Sequence, residues 1–113
     1  MKFPAVIACT LLAMSLQPAG AAGFKTGNDL LRDCTSDLPV AQTACVGYIM
    51  GVADDFEFDR IVRRKDACIP DGVEAGQVRD VVVTYLQNNP AWRNGIASSL
   101  AVRSIILAWG CKP

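Results

Sequence analysis

Five cysteines and not one histidine set the limits on the chemistry open to this chain. Cys9 lies in an apolar leader, whereas Cys34, Cys45, Cys68 and Cys111 lie beyond it, separated by 11, 23 and 43 residues. A zinc site needs clustered ligands such as C-x-x-C or a Cys/His mixture, and neither occurs. Four dispersed cysteines in a short exported chain read instead as two disulfides, with three connectivities open. A cysteine nucleophile needs a free thiolate and a base. Oxidised cysteines and the lack of histidine leave it neither. Ser36, Ser98, Ser99 and Ser104 stand in no G-x-S-x-G context.

The one constellation of carboxylates is Asp54, Asp55, Glu57 and Asp59. Paired carboxylates can serve glycoside hydrolysis or hold a hard cation. On a helix, however, these four spread over more than half the circumference, and only Asp55 and Asp59 share a face at i, i+4. The basic run from Arg60 to Lys65, RIVRRK, follows at once and neutralises them locally. The reading is a solvated charged face with no catalytic, metal or cofactor role. No enzyme is expected.

Two exposed segments are candidates for touching a partner. One is the charged run, with Asp54, Asp55, Glu57, Asp59 and Arg60. The other is the turn from Asn88 to Arg93, where Asn88 and Asn89 offer hydrogen-bonding groups. Trp92 and Arg93 in that turn are the residue types most often found as interface anchors. Trp92 could equally cap the core beneath its loop, since large aromatics dominate cores as well. Both roles stay open at this point.

These residues must be delivered and positioned. At 113 residues there is room for one domain. Residues 1–22 have the layout of a secretory signal: Met1-Lys2 as a basic start, an uncharged apolar run to Leu16, then small residues around Ala21 and Ala22. The run is shorter than the roughly 20 apolar residues a membrane span requires. Val6 to Cys9 resembles a lipoprotein box, but only eight residues precede Cys9, too few for a full leader. Cleavage after Ala21 or Ala22 leaves a domain over 23–113 in the periplasm or outside the cell. Without Lys2 it carries ten basic and eleven acidic side chains, a net charge of −1. That balance supplies no electrostatic pull toward nucleic acid or an anionic membrane.

Within the domain, hydrophobic periodicity predicts one short and three longer helices, an all-α bundle. Thr26 or Asn28 caps a helix over Asp29–Cys34, and Leu38-Pro39 closes the following turn. A long helix runs from Val40 or Ala41 to about Asp59, with Ala44, Cys45, Tyr48, Ile49, Val52 and Phe56 in one stripe. The RIVRRK run is expected to fray from its end. Gly47 and Gly51 lie four apart on a neighbouring stripe, which suggests close packing of another helix backbone. A third helix spans about Glu74 to Gln87, its inward side being Val78, Val81, Val82, Tyr85 and Leu86. The β-branched run Val81-Val82-Val83-Thr84 could form a strand, but the phase of the apolar positions favours helix. Pro90 stops this helix. The last helix runs from Ala91 or Asn94 to Trp109, with Ile96, Leu100, Ile106 (or Ile105) and Trp109 inward, and Gly110 ends it.

A core this small is marginal, so disulfides carry weight. The pairing we expect is Cys34–Cys45, across the first turn, and Cys68–Cys111, tying the middle connector to the last helix. Their loops stabilise by about 3 and about 4 kcal/mol at most on the chain-entropy account.

The order of motifs carries a resemblance. F-K-T-G-N-D-L-L-x-x-C (Phe24–Cys34) is followed by C-V-G-Y-I-M-G-V-A-D (Cys45–Asp54) and C-I-P-D-G-V-E-A-G-Q (Cys68–Gln77). V-V-x-Y-L-x-x-x-P (Val82–Pro90) and A-W-G-C (Ala108–Cys111) complete the series. This resembles the Rap/Tai family of type VI secretion amidase immunity proteins over essentially the whole mature chain. The resemblance implies a periplasmic all-α homodimer that binds a cognate peptidoglycan amidase effector and occludes its active-site cleft. Two departures stand out: Trp109-Gly110-Cys111 where W-P-C is usual, and no histidine after Pro90. A different class of function, a periplasmic chaperone or stress-binding domain, would use exposed apolar surface to hold unfolded clients. A structural envelope component is a third.

Overall fold

A computed structural model describes Lys2, Pro4 and residues 23–113. Apart from Lys2 and Pro4, the expected signal peptide, with Cys9 in it, lies outside the described residues. Four α-helices and one 3₁₀ turn follow in order: α1 (Gly27–Cys34), α2 (Pro39–Val62), α3 (Ala75–Asn88), the turn Pro90–Trp92, and α4 (Ala97–Trp109). No strand occurs among the described residues, so the all-α expectation holds.

Helix α1 begins with a reciprocal capping box. The Asp29 N–H donates to Thr26 Oγ1 at 3.2 Å, and the Thr26 N–H donates back to Asp29 Oδ2 at 3.0 Å. Helix α2 starts at Pro39, earlier than expected, because proline at the first helical position gives up an N–H that has no helical partner anyway. Helix α3 opens on a second reciprocal box between Glu74 and Gln77. Val78, Val82 and Leu86 form its buried stripe, with Val81 and Tyr85 half-buried beside them. The valine run is helical.

Three expectations need correcting. Helix α2 does not fray at Arg60 but continues to Val62. There the N–H of Lys65 donates to Arg60 O at 2.9 Å and that of Arg64 to Ile61 O at 2.9 Å, a Schellman closure. Helix α4 starts at Ala97, not at Ala91 or Asn94. The backbone of residues 93–97 is engaged elsewhere: Gly27 N donates to Gly95 O at 3.0 Å, Asn28 N to Arg93 O at 2.8 Å, and Ala97 N to Lys25 O at 2.9 Å. The loop carbonyls thus satisfy the first N–H groups of α1, which no helix can satisfy itself. Lastly, Ile105 and not Ile106 points inward on α4.

The core gathers one face from each helix. Leu30, Cys45, Ile49, Val82, Leu86 and Ile105 are its largest fully buried side chains. Buried Ser104 is satisfied by donating to Ala101 O at 2.7 Å. Both expected disulfides form. Cys34 pairs with Cys45 across a Cα separation of 5.0 Å, and Cys68 pairs with Cys111 across 5.1 Å. The first joins α1 to the second turn of α2; the second ties the connector before α3 to the end of α4. No helix among the described residues is long and apolar enough to cross a membrane.

Candidate functional site

The segment from Asn88 to Arg93 forms a rigid corner. Asn89 leaves the helical range at φ −126° and ψ 62°, and its Nδ2 donates to Tyr85 O at 2.8 Å, closing α3. Pro90 then starts a single 3₁₀ turn, which the Trp92 N–H closes on Asn89 O at 3.1 Å. The corner is held from behind by its bonds to the start of α1. Gly27 makes that docking possible: a Cβ there would lie 2.6 Å from Leu100 Cδ1 and 2.9 Å from Arg93 O.

Of the two roles open to Trp92, the structure favours the outward one. Its side chain is 60% exposed and covers no core beneath the loop. Its ring lies under the Arg103 guanidinium, 5.9 Å from centroid to Cζ, a cation–π contact that holds it in place. Arg93 is different. Its Nε is buried without any hydrogen-bond acceptor among the described residues. Such a donor is costly to leave unmade, but as a buried atom it is out of reach of a partner's acceptor. Asn88 is exposed and Asn89 half-buried.

The charged run divides. Asp54, Asp55 and Asp59 are exposed, and Asp59 pairs with Arg63 at 2.9 Å. Glu57 turns to the other side, where its Oε1 accepts from the N–H of Cys68 at 2.9 Å and of Ile69 at 2.7 Å. It fixes the connector. Arg60, which the sequence placed on the surface, is only 7% exposed. Its Nε donates to Asp66 O at 2.8 Å and its Nη1 to Lys112 O at 3.0 Å. These two side chains hold the fold together and do not form a charged face with the aspartates.

Sequence reasoning missed one large concavity. A groove of about 1020 Å³ runs between α2 and α4, with Tyr48, Val52, Phe56, Ile106 and Leu107 among its lining. Asp55 and Asp59 stand on its α2 wall, and Arg103 stands on its α4 wall. Gly47 and Gly51 line it too, but they are exposed and an added Cβ on either meets nothing within 4 Å. No helix among the described residues packs against them, so the close helix contact that their spacing suggests is not made within this part of the chain. Since Arg103 touches both Trp92 and the groove, the corner and the groove form one continuous surface. The signal that could have found it is the apolar excess at outward positions of α4, Ile106 and Leu107.

The groups on this surface suit it to binding. Among the described residues no group of three or more Cys, Asp or Glu is placed to hold a metal ion. Its polar groups are aspartates, serines, asparagines and arginines, the means of recognition by charge and hydrogen bonds.

A family model of Rap1a immunity proteins matches residues 26–111. No curated protein and no solved structure is similar enough to match.

Proposed function

The chain belongs to the Rap1a immunity protein family, and from that premise we propose that it works in the periplasm against a type VI secretion effector. The family makes it an immunity protein and not an enzyme, one that acts by binding a cognate effector. The target in this reading is a peptidoglycan amidase, whose active-site cleft is filled by the Asn88–Arg93 corner. The observation that carries it is the outward Trp92, 60% exposed, with the Arg103 guanidinium over its ring. An exposed aromatic stacked with a guanidinium, on a corner that Pro90 starts, has the makings of an interface hot spot.

Inhibition in this reading is stoichiometric. The corner lies at the junction of α3 and α4 with Pro90, Ala91 and Trp92 exposed, so in this reading it enters the concave site without distortion of the bundle. Residues 1–22 deliver the domain to the compartment where peptidoglycan is cut. A homodimer completes the arrangement, with the α2–α4 groove as its contact face. The groove suits self-association because its walls carry opposite charges, Asp55 and Asp59 against Arg103, so a twofold axis would set each beside its complement.

Coexpression tests this reading. Cells that make the cognate amidase in the periplasm should survive when the full chain is coexpressed, and should lyse when residues 1–22 are deleted. Lysis in the presence of the full, processed chain would overturn the assignment.

A second reading, a periplasmic chaperone, draws on the exposed apolar side chains Phe58, Ile61, Val62 and Leu107. It predicts that the protein suppresses aggregation of unrelated unfolded clients. An immunity protein confined to one effector does not.

A further inference from the structure

Both segments that carry the Cys68–Cys111 disulfide are bonded to α2 by side chains as well as to each other. Glu57 Oε1 accepts from the N–H of Cys68 at 2.9 Å and from that of Ile69 at 2.7 Å, and its Oε2 lies 3.1 Å from the Cys68 nitrogen. Three residues on, Arg60 Nε donates to Asp66 O at 2.8 Å and Nη1 to Lys112 O at 3.0 Å. Residues three apart stand on one face of a helix. That face of α2 thus grips the chain at Cys68, just before it at Asp66, and just after Cys111 at Lys112.

Each of these bonds joins a charged side chain to a backbone group, which makes it roughly twice as strong as a neutral bond. Arg60 is buried, with its guanidinium 5.7 Å from the centroid of the Phe56 ring, so water competes little for its two acceptors.

Cysteine spacing shows why such a grip is needed. The chance of closing a flexible loop falls as about the three-halves power of its length. Cys34–Cys45, 11 residues apart, is the easier native pair to close. For Cys68, the wrong partner Cys45 is 23 residues away and the right partner Cys111 is 43 away. Loop length alone then favours the wrong pair by about 2.5-fold. Something other than loop length must bring Cys111 to Cys68.

We propose that Glu57 and Arg60 form a clamp that seats Cys68 beside Cys111 before their sulphurs are joined, and keeps them seated when the bond is reduced. The disulfide locks an arrangement that α2 has already made. Oxidation forms the Sγ–Sγ bond, and the two thiol protons and two electrons pass to a disulfide oxidant such as oxidised glutathione, which leaves as two thiols. Held this way, the two thiols meet at high effective concentration. The native bond therefore re-forms after reduction without passing through Cys45–Cys68. The clamp is separate from the Asn88–Arg93 corner and does not depend on what the effector is.

Equilibration of the mature protein in glutathione redox buffers tests this, with free thiols alkylated and each cysteine pair located by peptide mass spectrometry. Cys34–Cys45 is the internal control. Glu57→Ala and Arg60→Met should each lower the equilibrium constant for forming Cys68–Cys111 by about tenfold or more, and that for Cys34–Cys45 by less than about threefold. Glu57→Gln, which keeps an acceptor oxygen, should lose less than Glu57→Ala. A second measurement does not rely on those variants folding. With Cys68→Ser and Cys111→Ser together, the amides of residues 68 and 69 should stay protected from hydrogen exchange, because Glu57 still holds them. No fall for Cys68–Cys111, an equal fall for both disulfides, or free exchange at residues 68 and 69 once the disulfide is gone would overturn the proposal.

Discussion

Arg103 lies over the ring of Trp92, 5.9 Å from its centroid, and so joins the corner before α4 to the groove between α2 and α4. The contact explains how an exposed tryptophan keeps a fixed orientation. A partially exposed cation–π contact is worth about 0.5–1 kcal/mol. Arg103→Ala should therefore lower effector affinity modestly by releasing Trp92, and should barely change the melting temperature. Arg103→Lys, which keeps the charge but not the flat guanidinium, should recover part of the loss. Calorimetric titration of the effector against both variants checks this.

Gly47 and Gly51 sit inside α2 with open space where a Cβ would be. Each costs helix stability, about 1 kcal/mol against alanine. Gly47→Ala and Gly51→Ala should therefore raise the unfolding free energy by up to that amount each, measured by urea denaturation. Gly51→Leu should also fold, since among the described residues nothing lies within 4 Å of where its Cβ would be. If the groove is the dimer face, light scattering should find wild type as a dimer and Gly51→Leu as a monomer.

Gly27 behaves oppositely. A methyl group there would press on Leu100 and on the backbone carbonyl of Arg93, and backbone cannot swing aside as a side-chain tip can. Gly27→Ala should destabilise the fold by about 1–3 kcal/mol, the range of overpacking. Because the same contact docks the corner, amide exchange in residues 93–97 should accelerate more than in α3. Uniform acceleration through the chain would show that the corner is not seated on α1.

Asp29 links the first helix to pH. The Thr26 backbone N–H, then the Thr26 hydroxyl, hold its carboxyl below the ordinary value of 3.8. A folded pKa below the unfolded one means stability that is present above the unfolded pKa and is lost as pH falls through the folded pKa. Acid unfolding of the wild type should therefore be steeper below pH 3.8 than that of Asp29→Asn. The group is on the surface, so the difference should be small. Equal slopes in that window would remove Asp29 from the account of acid stability.

Much of this molecule was legible because its regularities are local. The stripe Val78, Val82, Leu86 and the glycine stop at Gly110 are read within one helix, and the places of the cysteines relative to the predicted helices favoured the observed pairing. What could not be read depends on distant contacts. The late start of α4 follows from hydrogen bonds between residues 93–97 and the far end of the chain around Lys25 to Asn28. Arg60 looked exposed because it opens a basic run; it is buried because the carbonyls of Asp66 and Lys112 come to it from two different segments. Gly47 and Gly51 marked a real feature, but spacing does not say whether the facing surface is another helix of the same chain. Trp92 and Arg93 were picked out by residue type, and exposure then decided for Trp92.

The central claim is that the corner makes the inhibitory contact, and affinity for the cognate amidase tests it most directly. Trp92→Ala and Arg93→Ala should each weaken binding by about 2 kcal/mol or more, roughly thirtyfold in Kd. Trp92 is exposed, so its removal should leave the melting temperature nearly unchanged, which separates lost contact from lost fold. If both variants fold as the wild type does and still bind the amidase with unchanged affinity and stoichiometry, the corner is not the inhibitory element.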